Sequence, residues 1–349
     1  MPLWQWHEIP NTALSSVQPS PVPYGGSGPQ SKIDAWCGAA LKRQGSVYML
    51  GAAGGHGDYA GNEVDAITLN SENPAWRQLK GPTAAADLID SAFYLDRRPG
   101  ATHTYWAQQF INSRNLLLSV CNPGMGMSGL PDEPAGWPYA GTRKRTPAFN
   151  YATQEWENPD YIGFFPSETG DPIACLCVKH PWTDDIYYSR NYSDGWYRWT
   201  SATNTWSKLS NGTRGPWYAG SAIDPVRNRM LIVGGYSPMA PEVRNLDGSA
   251  VAASFTGSGA SALARTGYPG VVFDESLDRF LVLFNDAGVI KVLVVHPTTW
   301  AVSDPGATGN APAARKNGIH NSVQYVPELR GFVIANGYQT NMRFMRTAA

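Results

Sequence analysis

The sequence predicts an all-β fold: a single ring of six four-stranded blades, closed by the N-terminal strand completing the last blade. Three observations predict it. A short hairpin phrase recurs six times along the chain. A tryptophan marks the fourth strand of most repeats at intervals of about 50 residues. The last repeat runs out one strand short, while the chain opens with the strand it lacks.

The phrase is a small or apolar strand, a turn rich in Asp, Pro, Asn and Arg, and a strongly apolar strand. Its clearest copies are Ala222-Ile223-Asp224-Pro225-Val226-Arg227-Asn228-Arg229-Met230-Leu231-Ile232-Val233 and Val272-Phe273-Asp274-Glu275-Ser276-Leu277-Asp278-Arg279-Phe280-Leu281-Val282-Leu283. Others start near Ala40, Gln109, Cys177 (in looser form) and Gln324. The second strand is a continuous apolar run with no polar alternation, so both of its faces are expected to be buried. Fourth strands are read at Trp76, Trp156, Trp206 and Trp300, with one unit between the last two lacking its Trp. A four-stranded unit of this length, repeated, is a β-propeller blade. The Trp76-to-Trp156 gap exceeds one period and leaves seven blades open, but it holds only one hairpin phrase, which favours six.

The last unit, residues 316–346, ends after three strands at Asn341-Met342-Arg343-Phe344-Met345. Residues 3–9, Leu3-Trp4-Gln5-Trp6-His7-Glu8-Ile9, supply the fourth, so no open sheet edge remains at the seam. Residues 1–349 then form one domain. Insertions are read near 82–101, 122–145 and 237–266. Long loops on a rigid ring carry recognition or partner contacts, or are solvent-exposed decoration.

Composition agrees. The chain has 36 Gly, 27 Pro, 13 Trp and 17 Tyr in 349 residues, a profile of turns and strand-favouring aromatics. With 27 basic and 28 acidic residues and no basic run beyond Arg143-Lys144-Arg145, nucleic acid is not an expected partner. The opening Met1-Pro2-Leu3-Trp4-Gln5-Trp6-His7 has neither a basic start nor an apolar core, so no signal peptide and cytoplasmic synthesis are expected. No stretch is long and apolar enough to predict membrane insertion. Cys37, Cys121, Cys175 and Cys177 lack paired-ligand spacing and read as buried thiols, with no metal expected.

Function must lie in the loops. In a blade whose strands run a to d from the axis outward, b-to-c and d-to-a connections share one face. The densest local sequence, Gly54-Gly55-His56-Gly57-Asp58-Tyr59-Ala60-Gly61-Asn62-Glu63-Val64, is a b-to-c loop on that face. His103-Thr104-Tyr105 and His320 fall at the starts of inner strands there, where other blades carry Trp217-Tyr218 and Tyr268. These residues are expected to ring one mouth of the channel. His56, Asp58, Tyr59, Trp217, Tyr218 and Tyr268 are the ligand-binding candidates. His56, Tyr59, His103, Tyr105 and His320 are the catalytic ones. A plain structural reading stands beside each: Gly54-Gly55, Asn62 and Glu63 read as scaffold, and packing roles for the other residues remain open. His7, His180 and His296 read as structural.

The Gly54–Val64 stretch, the opening Trp6-x-x-Ile9-Pro10-Asn11-Thr12 and the closing Tyr325-Val326-Pro327 resemble a kelch-like group of propellers akin to the central domain of galactose oxidase, found mostly in bacteria and tailed phages. The Gly-Gly pair that kelch repeats carry in each blade is clear here only at Gly54-Gly55 and Gly234-Gly235. The copper oxidase arrangement of two His, two Tyr and a Tyr-linked Cys is not reproduced, so no cofactor is expected. The resemblance, with the aromatic mouth, implies a non-enzymatic binding or assembly module of a virion, recognising a host-surface glycan or a neighbouring structural protein. The alternative is a polysaccharide lyase, with His56 or His103 as base, Tyr59 or Tyr105 as proton donor, and His320 or Arg315 neutralising the uronate.

Overall fold

The computed structural model describes residues 1–17, 25–55, 58–120, 129–139, 145–163, 174–189, 195–211, 216–235 and 239–349. Six sheets, antiparallel apart from one added strand at the seam, close into a six-bladed propeller. Strands a, b, c and d of blade 1 are Ala40–Lys42, Val47–Gly51, Val64–Thr68 and Trp76–Lys80. In blade 2 they are Gln108–Ile111, Leu116–Ser119, Ala148–Asn150 and Glu155–Trp156. Those of blade 3 are Leu176–Lys179, Ile186–Ser189, Trp196–Thr200 and Thr205–Ser210. Blade 4 has Gly220–Asp224, Arg229–Val233, Glu242–Asn245 and Ala250–Val251, and blade 5 has Gly270–Asp274, Arg279–Asp286, Val289–Val295 and Val302–Ser303.

Blade 6 takes strands a to c from Val323–Val326, Gly331–Ile334 and Arg343–Arg346, and its fourth strand is Gln5–Glu8. Trp6 pairs with Met345 and Glu8 with Arg343 in antiparallel register. The outer edge of this closing strand is covered in turn by Thr308–Gly309, paired parallel to Gln5 and Trp6. The seam therefore has five strands where the other blades have four.

The apolar runs of the b strands are explained by where alternate residues go. Leu116 and Leu118 pack toward blade 3 against Ile186, Tyr188 and Trp199. Leu117 points the other way, into a cluster with Met49 and Val64 of blade 1. Each blade is buried on both faces, and each of the six blade interfaces has its own apolar cluster.

The a-to-b turns explain the Asp and Asn of the repeated phrase. Asp224 Oδ1 accepts the N–H groups of Val226 at 2.9 Å and Arg227 at 3.1 Å, and Asp274 does the same for Ser276 and Leu277. The residue that closes each turn is left-handed, and Asn115, Asp184, Asn228 and Asp278 fill that position in blades 2 to 5.

Two expectations are corrected. Residues 237–266 are not an insertion: they hold strands c and d of blade 4, which escape notice because they are short and polar, followed by one helical turn at Ala260–Leu263. Trp300 is not a strand residue. It takes the left-handed c-to-d turn position that Gln154 and Asn204 hold in blades 2 and 3, two residues ahead of strand d. Of the loop stretches read at 82–101 and 122–145, the first is largely buried, while the described part of the second, 129–139, is mostly exposed with Leu130, Trp137 and Tyr139 turned inward; its remaining residues other than Arg145 lie outside the described residues. Leu88, Ile89 and Tyr94 pack with Ala60, Leu130 and Trp137, and Phe93 with Tyr139 and Trp137.

Candidate functional site

At the start of every inner strand the chain arrives from the rim and must turn down along the axis. One left-handed residue makes that turn in each blade: Trp36 (φ 54°), Tyr105 (43°), Ala174 (53°), Tyr218 (62°), Tyr268 (48°) and His320 (50°). Each costs roughly 1–2 kcal/mol relative to an ordinary conformation, so the neighbouring structure must hold it. Backbone bonds between blades do so: Tyr105 N–H donates to Trp36 O at 2.8 Å, Tyr218 N–H to Ala174 O at 3.1 Å, and Ile319 N–H to Tyr268 O at 2.9 Å. Five of the six positions carry an aromatic ring.

Four of those rings form a closed cycle. Tyr105 meets Tyr218 at 5.5 Å, Tyr218 meets Tyr268 at 5.2 Å, Tyr268 meets His320 at 6.2 Å, and His320 returns to Tyr105 at 5.4 Å, all edge to face. Tyr105 belongs to blade 2, whereas Tyr218 and His320 belong to blades 4 and 6. Contacts between blades that are not neighbours must cross the axis, so the cycle plugs the channel at this mouth. Ala174, small where the other blades carry rings, lets Tyr105 reach Tyr218.

His320 is fully buried in the plug. Its Nε2–H donates to Asn317 O at 2.6 Å, and burial, with Arg315 nearby, pushes its pKa down to about 3. The ring is neutral at physiological pH. Arg315 is buried too, and its guanidinium donates to the carbonyls of Ile33, Cys37 and Ile319, tying the lead-in of blade 6 to that of blade 1. Tyr59 is buried and donates its hydroxyl to Glu63 Oε1 at 2.6 Å. Glu63 and Asp65 in turn hold Lys32, and all three are buried. Tyr59, Arg315 and His320 are thus brought to this face but packed inside it.

The solvent side of the plug is different. Trp36, Trp217, Tyr218 and Tyr268 are half-buried, so ring surface remains open to solvent. Trp217 lies on Tyr218 at 4.8 Å and 33°, and Trp36 on His103 at 4.9 Å and 37°. His103 Nε2 is 2.9 Å from Asp58 Oδ2, with the carboxylate about one-third exposed and the imidazole buried. The Asp58 carboxylate and its histidine therefore stand at the edge of an aromatic floor. The packed stretch 82–101, with Leu130 and Trp137 against it, is anchored to the same loop as Asp58 by the Tyr94 hydroxyl on Ala60 O at 2.9 Å. His56 lies outside the described residues.

Scaffold roles fall where the sequence put them. A Cβ on Gly55 would sit 1.9 Å from Ala101 O, so only glycine allows the two backbones to approach. Asn62 donates to Thr83 Oγ1 and Pro99 O, fixing the insertion to blade 1. On the opposite face, the Nδ1 atoms of His180 and His296 accept backbone N–H groups of their own turns.

Sequence reasoning missed Trp36. The signal was available: Trp36-Cys37-Gly38 precedes strand a of blade 1 much as Tyr218-Ala219-Gly220 leads into that of blade 4. Among the described residues no three His, Cys, Asp or Glu are grouped to hold a metal ion. No protein-family profile matches the chain, and no curated protein matches it.

Proposed function

We propose that the chain is a non-enzymatic recognition module that takes sugar rings of a surface glycan on the plugged mouth of its channel. The observation that carries this reading is the floor of half-buried Trp36, Trp217, Tyr218 and Tyr268 with the Asp58 carboxylate at its edge. The C–H faces of a pyranose stack on such rings, and adjacent hydroxyls donate to a carboxylate. The left-handed backbone that carries three of these rings is fixed by inter-blade bonds, so little ordering is left to be done on binding. The kelch-like resemblance extends the proposal to a virion-associated component, with a host-surface glycan as the natural ligand.

The lyase alternative keeps one acid–base pair, His103 with Asp58, and is weakened by the burial of Tyr59, Tyr105, Arg315 and His320. Arg315 is spent on backbone carbonyls and His320 is sealed in the plug. An array of bacterial surface glycans tests both readings. Binding is expected, with Trp217→Ala weakening it about tenfold or more, roughly 1.4 kcal/mol. Equal binding by wild type and variant overturns the platform. Unsaturated uronate ends appearing with wild type but not His103→Ala would replace it with the lyase.

A further inference from the structure

The other mouth of the channel is built differently, and its chemistry is independent of the platform. Arg43 of blade 1 reaches across the axis: its Nη1 donates to Pro181 O of blade 3 at 3.0 Å, and its Nη2 pairs with Glu275 of blade 5. The second Glu275 oxygen accepts the indole N–H of Trp182 at 3.2 Å, although this Trp is 58 % exposed. Side chains from three alternate blades thus form a strap over the axis. All of it stands on a-to-b turns that protrude into solvent.

Beneath the strap lies a pocket of about 110 Å³, open toward solvent and lined by the inner strands of all six blades. Its uncharged polar lining includes Gln109, Ser221, Asn321 and Gln324, among apolar residues such as Leu41 and Val271, together with Cys177, which also packs between blades 2 and 3. The Ser221 hydroxyl is buried and has no hydrogen-bond partner. A buried hydroxyl calls for one. The charges at the rim are neutralised in place, Arg43 by Glu275 and Lys179 by Asp184 at 3.1 Å. A charged occupant would therefore lose its hydration with no counter-charge to receive it. The volume is that of roughly three or four waters.

We infer that the channel is a binding pocket for one small uncharged polyol, the size of glycerol, admitted from the a-to-b face past the Arg43–Glu275–Trp182 strap, which narrows the entrance. Cys177 reports on it, because it lines the cavity while Cys37 and Cys175 are buried outside it. The test is the rate at which a small methanethiosulfonate reagent modifies each cysteine of the native chain, mapped by peptide mass spectrometry, with glycerol as the probe ligand and sorbitol, too large for the cavity, as the osmotic control.

Glycerol is expected to slow Cys177 modification several-fold, with sorbitol leaving it unchanged and Cys175 unaffected by either. Arg43→Ala and, independently, Glu275→Ala are expected to speed Cys177 modification several-fold while Cys175 stays slow, which also shows that each variant is folded. Equal protection by glycerol and sorbitol, or none by either, overturns the pocket. Unchanged Cys177 rates in folded strap variants overturn the narrowed entrance and with it the proposed route.

Discussion

A left-handed aromatic residue costs free energy that glycine would spare, yet five blades carry one at the same point of the channel mouth. Strain of this kind persists where the surroundings hold it and where it places a side chain for use. His320 shows what the placement costs. Its pKa is depressed to about 3, chiefly by burial, against about 6.5 in the unfolded chain. The folded state refuses a proton that the unfolded state accepts. The stability that depends on the neutral ring is complete above about pH 6.5 and is lost as pH falls from there toward the folded value.

Buried Asp65 acts with opposite sign, since burial raises its pKa and the folded state takes up a proton first. The difference between wild type and His320→Gln isolates the histidine. Urea midpoints measured from pH 7 to pH 5 are expected to fall less steeply in the variant, and parallel curves would contradict the burial argument. A second residue-scale outcome concerns Tyr59. Tyr59→Phe leaves buried Glu63 with Lys32 but without its hydroxyl donor, and should lower stability by about 1–3 kcal/mol in urea denaturation. Glycan binding should survive, because the lost group faces the scaffold.

At the scale of elements, the hairpin phrase was legible because both of its signals are chemical. Asp and Asn recur where a turn needs an Asx bond or a left-handed residue, and the apolar b strand is required by two buried faces. Strands c and d of blade 4 were not legible, since Glu242–Asn245 and Ala250–Val251 have neither length nor apolar pattern; the first is held by pairing to Arg229–Val233 and the second by pairing to the first. Trp300 misled because a tryptophan marks packing and not secondary structure. In the turn it reaches the same interface that Trp206 reaches from a strand in another blade.

The closing strand was legible from a deficit at one end of the chain matched at the other. Trp6 is its anchor, buried and edge-on to Phe332 at 5.5 Å. Trp6→Ala should cost about 3–5 kcal/mol and expose residues 1–9 to limited proteolysis, whereas a tail of no structural consequence would be clipped equally in both proteins.

For the whole molecule, the ring and its two mouths follow from the repeat, but what closes each mouth does not. The Tyr105–Tyr218 contact skips blade 3 and the Arg43–Glu275 pair skips blades across the axis. No sequence spacing encodes either, because both depend on channel width and the first also on Ala174 being small. The same geometry divides labour between the faces: an aromatic floor at one end, a polar strap at the other. The most direct test of that division is calorimetry with the glycan that the array selects, comparing wild type, Trp217→Ala on the platform and Trp182→Ala on the strap. The platform variant should bind about tenfold more weakly or worse, and the strap variant should match wild type. Loss of binding in Trp182→Ala with Trp217→Ala unaffected would place recognition at the opposite mouth and contradict the account.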